Sequence, residues 1–293
     1  MDSTKEDIDQ YRSMLFSIAY NMLGIIADAE DMVQETYISW LDSDKSHVEN
    51  ARFYLIRTIS NKCISHLKKL KQQRDIYTGI WLPEPLVYSV DVESNLDIKK
   101  NLSIGFLYLL EKLTPVERGV MILKEAFDID YDEISKIFDI TNDTCRQHLS
   151  RAKKKLALEK NRFEVDTNEH EKILRKFLDA CLNKNFEELI ELLREDVIGY
   201  GDGGGNAPAM KEPVIGRENI LGLLINGLGK ALLFGRIEIM SINGLSGAAF
   251  YKSSHKMPDF LIAIDTDDNK KIANLYFIAN PEKLQRINRQ NMN

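Results

Sequence analysis

Chemistry in this chain of 293 residues has to come from charge, because the usual catalytic and ligating groups are scarce. It has 5 histidines and 3 cysteines, and Cys63, Cys145 and Cys181 lie far apart with no CxxC pair. That argues against a zinc site or a disulfide framework, and for a reducing compartment. Asp28, Glu30, Asp31, Gln34 and Glu35 fall on the outward side of a helical repeat whose inward positions are Ala29, Met32, Val33, Thr36, Tyr37 and Trp40. A carboxylate-rich helix face suits a basic protein partner; the plainer reading is a solvated face. Two basic stripes stand against it. Asn61 to Arg74 carries Lys62, Lys68, Lys69, Lys71 and Arg74 with no acid among them. Asn142 to Arg162 carries Arg146, Arg151, Lys153, Lys154, Lys155, Lys160 and Arg162 against Asp143 and Glu159. Either stripe alone reads as a solvated face. Both together, each at the end of a helical pattern, point to phosphate contacts. The net charge of −6 is therefore unevenly spread and does not exclude nucleic acid.

At roughly 150 residues per domain, the length predicts two domains. With 44% apolar and 29% charged residues, 16 Gly and 7 Pro, the chain is globular rather than disordered. Its apolar runs are too short to span a bilayer, and Met1 to Asp7 lacks the basic and apolar regions of a secretory signal. A cytoplasmic location without membrane contact is expected.

The spacing predicts helices over Ile8 to Leu23, Asp28 to about Leu41, and Glu49 to about Lys71. The third carries Phe53, Ile56, Ile59, Cys63, Ile64 and Leu67 on one face. Asp75 to Leu96 holds Trp81-Leu82-Pro83-Glu84-Pro85-Leu86, where two prolines forbid continuous helix. This linker is apolar enough to dock on something. Helix resumes from Ile98 to Leu113. Thr114-Pro115-Val116-Glu117 is a start signal for a helix to about Phe127: Thr at the N-cap, Pro at N1, Glu at N3. A short helix Tyr131 to Phe138, a turn at Asp139 to Thr141, and a basic helix from Asn142 or Asp143 through Leu156 make a helix-turn-helix. Asn142, Thr144, Arg146 and Gln147 fall in the first turns of its second helix, where Arg pairs with guanine and Asn or Gln with adenine. Ser150, Arg151, Lys153 and Lys154 suit phosphates, while Cys145 and Leu149 pack inward.

Beyond Arg162 the texture changes. Helices over Glu169 to Cys181 and Phe186 to Leu193 precede a strand from Val197 into the turn Asp202-Gly203-Gly204-Gly205. A helical stretch, Gly216 to Leu228, is followed by strand-like runs Arg236 to Ile242, Ala248 to Lys252, Phe260 to Thr266 and Lys271 to Ile278. A short helix, Pro281 to Ile287, closes an α+β domain.

Four motifs carry a resemblance: Asp28-Ala29-Glu30-Asp31-Met32-Val33-Gln34-Glu35-Thr36-Tyr37, Phe53-Tyr54-Leu55-Ile56-Arg57, Leu113-Thr114-Pro115-Val116-Glu117-Arg118, and Cys145-Arg146-Gln147 ahead of Arg151-Ala152-Lys153-Lys154-Lys155-Leu156. With them the chain resembles the extracytoplasmic-function (ECF) sigma factors, in the sigma-70 family of bacterial RNA polymerase. The remainder resembles a SnoaL-like domain of the nuclear-transport-factor-like superfamily. The linker Trp81 to Pro85, the turn Asp202 to Gly205 and the stretch Asn280-Pro281-Glu282-Lys283-Leu284 are similar to the subgroup in which both parts are fused.

The resemblance implies a multi-domain chain: an all-α sigma region 2 over 1–75, a linker over 76–97, a helix-turn-helix region 4 over 98–162, and a cone-shaped α+β SnoaL-like domain over 163–293. It implies core RNA polymerase and promoter DNA as partners. Asp28, Glu30, Asp31, Gln34 and Glu35 would dock on the polymerase clamp. The third helix would read the melted minus-ten element through Arg57, Asn61, Lys62, His66, Lys68 and Lys69, with Tyr54 available for stacking and Phe53 read as core. Many members carry an acidic residue near Ser65, where this chain has Ser65-His66. The fused domain would regulate in cis, with Trp81, Leu82, Pro83 and Pro85 docking near Asp202, Gly203, Gly204 and Gly205. The alternative for Trp81 is packing within the N-terminal half. Asn280 to Leu284 is either a structural clasp or a second regulatory contact. Asp202 reads as a turn residue and His255 as a loop residue, so no acid–base pair, catalysis, metal or cofactor is expected; the fold leaves room for a small-molecule ligand of unassigned identity. Two other readings stand beside this one. A ligand-sensing helix-turn-helix regulator acting without polymerase has no use for the acidic helix. A SnoaL-like cyclase or isomerase fused to a DNA-binding region needs a pocket acid or base with a displaced pKa.

Overall fold

The computed structural model describes residues 8–44, 48–74, 77–88, 102–156, 166–205, 207, 209–224, 235–252, 255–285 and 287. They fall into two compact units. The first comprises the described residues of 8–74, 102 and 106–156; the second comprises 77–88, 103–105 and those from 166 onward.

The first unit is helical. Helix α1, Arg12–Leu23, stops at Gly24 in the left-handed region (φ 69°). Helix α2, Ile26–Asp42, starts two residues before the expected Asp28, which lies in its first turn. Helix α3, Ala51–Arg74, is the long basic helix. It buries Leu55, Ile56, Ile59, Cys63, Ile64, Leu67 and Leu70. Phe53 is only half-buried, which corrects its reading as core: Leu55 and Ile56 occupy the buried arc and turn Phe53 to the helix flank. Helix α4 spans Ile104–Leu110, and the expected start at Ile98 lies outside the described residues.

Helix α5, Pro115–Met121, begins with the full capping box between Thr114 and Glu117 and continues as a π turn, Ile122–Ala126. Glu117 is buried and also binds Lys155 Nζ at 2.7 Å. Burial alone would raise its pKa; the bonds from Lys155 and Thr114 outweigh that and hold it below the usual carboxylate range. Helix α6, Tyr131–Phe138, ends on Asp139 at φ 54°, and helix α7, Asn142–Lys155, follows. A Cβ on Gly119 would lie 2.7 Å from the Phe138 ring, so glycine lets α5 and α6 approach. Buried Arg118 donates to Leu110 O and, at 2.8 Å, to Met22 O at the end of α1. Arg74 donates to Leu23 O, and Glu111 pairs with both arginines. Two cations thus sit at the negative end of α1 and fasten α3 and α5 to it.

The second unit is α+β, as expected. Helices α8, Thr167–Asn183, and α9, Phe186–Leu192, precede β2, Leu193–Asp202. Then come β3, Val214–Ile215, which the sequence reading missed, and α10, Arg217–Leu223. Strands β4 (Gly235–Ile242), β5 (Leu245–Lys252), β6 (Phe260–Thr266) and β7 (Ile272–Ile278) follow, then α11, Pro281–Leu284. The linker supplies the first strand, β1, Val87–Tyr88. The seven-stranded order is β1-β4-β5-β6-β7-β2-β3, antiparallel except for the β2–β7 pair. Ile173, Leu174, Phe177 and Leu178 of α8 fill the core against Phe250, Ile262, Ile264 and Leu275. Among the described residues no helix is long and apolar enough to cross a membrane.

Candidate functional site

The acidic face forms as the helical spacing requires. Asp31, Gln34 and Glu35 are exposed on α2, and Asp28 and Glu30 are half-buried. Asp28 Oδ2 lies 3.0 Å from His66 Nε2, and Glu35 Oε2 lies 3.1 Å from Lys62 Nζ, so two of the acids meet side chains of α3. Along the same face Ile38 and Leu41 are exposed by 59% and 53%. Sequence reasoning had noted only the charges. The signal was available: neither residue falls on the inward arc of Ala29, Met32, Val33, Thr36 and Trp40. The face is thus acidic in its first half and apolar in its second.

The candidate nucleic-acid residues of α3 divide between two clefts. Lys62, Ser65, His66 and Lys69 line an opening of about 400 Å³ with Met32 and Glu35 of α2. Asn50, Phe53, Tyr54 and Arg57 line another, of about 830 Å³, with Tyr131, Glu133, Lys136 and Arg146. Asn61 borders the first cleft, yet its amide donates to Ile137 O of α6 at 2.9 Å. Lys68 is exposed.

Helix α7 begins at Asn142, the earlier of the two starts expected, and its N-cap is Thr141. Thr141 Oγ1 accepts from Thr144 N at 3.2 Å. Asn142 Nδ2 donates to Asp132, and Arg146 pairs with Asp143 at 3.2 Å while lying 5.1 Å from the Tyr131 ring centre. Gln147, Ser150, Arg151 and Lys154 are exposed; Thr144 is half-buried. Lys153 pairs with Glu125 at 2.7 Å. Cys145 and Leu149 are buried.

The linker and the glycine turn come together in the second unit. Asp202 is fully buried at the end of β2. Its Oδ1 accepts from Tyr77 Oη (2.6 Å) and Gly204 N (3.0 Å), and its Oδ2 from Leu82 N (2.9 Å) and Lys283 Nζ (2.6 Å). All the acceptor sites of the carboxylate are used. Lys283 also donates to Leu82 O and lies 4.5 Å from the Trp81 ring centre and 5.6 Å from that of Tyr77. Burial, and then the Asp202 carboxylate, push the Tyr77 hydroxyl pKa upward. Asn280 Nδ2 donates to Tyr77 Oη (2.9 Å), and Gly204, at φ 63°, leaves no room for a side chain against Asn280. Further along, Leu86 N donates to Asn243 Oδ1 (2.9 Å) and Asn243 N to Leu86 O (2.8 Å) before β1 joins β4. Pro83 and Pro85 are buried and Trp81 is half-buried. Asp202 therefore does form the turn, and it also holds the linker. Gly203 and Gly205 shape the turn without bonding to Trp81, Pro83 or Pro85 in any contact described. Tyr77, Asn243 and Lys283 were missed as contacts. Their hydroxyl, amide and ammonium groups give no periodic signal, and Lys283 stands in the sequence only as part of the Asn280 to Leu284 stretch.

An acidic helix face, a basic long helix and a capped helix-turn-helix, in a chain that also carries an α+β domain, are the parts of a helical DNA-reading class of protein. Residues 8–73 match Sigma-70 region 2, and residues 105–156 match Sigma-70, region 4. The chain is 31% identical over 195 residues to the probable ECF RNA polymerase sigma factor SigI of Mycobacterium tuberculosis, covering 66% of this chain and 67% of that one. It is 28% identical over 292 residues to the ECF RNA polymerase sigma factor SigJ of the same organism, covering 94% and 92%. The crystal structure of the Mycobacterium tuberculosis extracytoplasmic function sigma factor SigJ matches with a TM-score of 0.75 over 95% of this chain and 97% of that one, at 28% identity. The chain belongs to the ECF sigma factors of RNA polymerase.

Proposed function

We propose that this sigma factor joins core RNA polymerase through the exposed face of α2, reads promoter DNA through α3 and α7, and is regulated in cis by its SnoaL-like domain through the linker. The observation that carries the regulatory part is the buried Asp202, whose carboxylate takes the Leu82 amide and the Lys283 ammonium together. A buried carboxylate satisfied this fully grips its partners, and losing one of them is costly. Ile38 and Leu41 extend the docking face with apolar area, while the acids steer a basic partner. The protein works in the cytoplasm, where polymerase is. Neither side chain weighed for acid–base work is available for it: Asp202 accepts four hydrogen bonds, and His255 lies 3.1 Å from Asp259.

The test uses the full chain with Trp81→Ala and Asp202→Ala together. Co-elution with core polymerase should be unchanged, and run-off transcription should differ from wild type by several-fold. Identical transcription, with exchange of the 77–88 amides showing the linker released, would sink the regulatory reading.

A further inference from the structure

The cleft between α2 and α3 has a one-sided hydrogen-bonding character. Its uncharged polar lining is Thr58, Asn61, Ser65 and His66 of α3. Thr58 Oγ1 donates to Tyr54 O at 2.8 Å, and Ser65 Oγ to Asn61 O at 3.0 Å. Asn61 Nδ2 donates to Arg57 O and to Ile137 O, both at 2.9 Å, so both amide hydrogens are used. His66 Nε2 lies 3.0 Å from Asp28 Oδ2. An ionised carboxylate only accepts, so the proton of the neutral ring sits on Nε2 and Nδ1 carries a lone pair. Nδ1 has no partner among the described residues. The polar hydrogens of these four side chains are therefore spent within the chain, and what they still present to the cleft is lone pairs. The two ammonium groups at the cleft, on Lys62 and Lys69, suit phosphates, which carry no sequence information.

We propose that this cleft selects a base with an exocyclic amino group, adenine or cytosine, at one promoter position, with His66 Nδ1 as the reader and Asp28 as its positioning residue. On the major-groove edge adenine presents its N6 amino group and cytosine its N4 amino group, whereas guanine and thymine present O6 and O4. A lining that only accepts bonds the first pair. Against the second it sets lone pair to lone pair, and a polar group left unpaired there costs more than a bond would gain. His66 suits the task better than the lysines do. Its ring is flat and is held at one end by Asp28, so the direction and the role of the other nitrogen are set before DNA arrives. Asp28 lies in the first turn of α2, so an acid of one helix fixes the reading group of the next. The selectivity belongs to the first unit alone and is independent of the linker grip. It rests on the reading of α3 as a promoter-facing helix.

The test uses holoenzyme assembled from core RNA polymerase and the full chain, at a mildly alkaline pH that keeps the ring neutral. It selects from a double-stranded DNA library randomised upstream of the start site. Bound molecules are sequenced, so the base profile is read independently of yield. Wild type should favour adenine or cytosine over guanine or thymine by about fivefold at one position of one strand, roughly the worth of one hydrogen bond. His66→Ala should remove that preference and leave the other positions as they were. Asp28→Asn brings an amide that can donate to Nε2 and move the ring proton to Nδ1, so it should weaken or reverse the preference at the same position; weaker docking would lower the yield without altering the profile. A wild-type profile in His66→Ala, or a preference for guanine or thymine at the position that His66 controls, would overturn the proposal. An error in the α3 reading shows separately, as unaltered DNA retention by holoenzyme carrying Lys62→Gln and Lys69→Gln.

Discussion

Replacing Lys283 with methionine tests the linker grip most directly. Methionine keeps the apolar stem and removes the ammonium. The Asp202 carboxylate, fully buried, then loses its one charged partner among the described residues and retains bonds from Tyr77, Leu82 and Gly204. Breaking a buried pair from one side costs about 3–5 kcal/mol, and three surviving bonds place the cost at the lower end, about 3 kcal/mol. The cation–π contacts with Trp81 and Tyr77 are lost as well. The Leu82 amide reports the outcome because it donates to the same oxygen as Lys283. At about 1.4 kcal/mol per factor of ten, its hydrogen exchange should quicken by roughly a hundredfold. Adding Asp202→Asn removes the stranded charge, so the double variant should be less destabilised than the sum of the two single changes. If Leu82 exchange in Lys283→Met stays within a few-fold of wild type, the ammonium does not hold the linker and the reasoning fails.

Neutralising Arg151 and Lys154, both exposed, should flatten the salt dependence of duplex binding by about two units of log–log slope. Lys155→Gln should leave the slope alone and lower the stability of the first unit by about 1–3 kcal/mol, measured by urea unfolding, since Lys155 satisfies buried Glu117. Because Glu117 is held below its ordinary pKa, that contribution is present above about pH 4.3 and is lost as pH falls. His170 is buried and bonds Ile264 O through Nε2 at 3.0 Å, with no partner for Nδ1 among the described residues, and its pKa is lowered, first by burial. The unfolded chain therefore binds the extra proton, and the second unit should lose up to about 1.4 kcal/mol per pH unit below about pH 6.5, a dependence that His170→Leu should abolish. Gly204→Ala, at φ 63° with its new Cβ 2.6 Å from the Asn280 side chain, should cost about 1–3 kcal/mol in thermal unfolding.

Much of the fold was legible because it follows from periodicity and punctuation. The inward arc of α2 and the capping box at Thr114 stand in the structure as the residues dictate. Boundaries were less so at α2, which Ile26 opens two residues before Asp28 without a side-chain cap, whereas α7 begins at Asn142 as its spacing indicates. The two-residue strand β3 carries too little pattern to be read. Surfaces made by one element, such as the acidic face, could be found from spacing alone. The linker grip could not: Lys283 and Tyr77 reach Asp202 from opposite ends of the chain, and a single lysine looks the same whether solvated or buried over a tryptophan. The cover on Asn61 was equally invisible, because its acceptor is a main-chain carbonyl and carbonyls have no identity in a sequence.

The grip on the linker also has a birth order. Leu82 and Lys283 are separated by 201 residues. A ribosome adding about 5–20 residues per second needs on the order of 10–40 s to cover that distance. Within that interval the second sigma region is finished at residue 156, well before the lysine that completes the clasp. On the proposed reading, restraint by the linker is therefore a property of the finished polypeptide, and a nascent or prematurely stopped chain carries the two sigma regions without it.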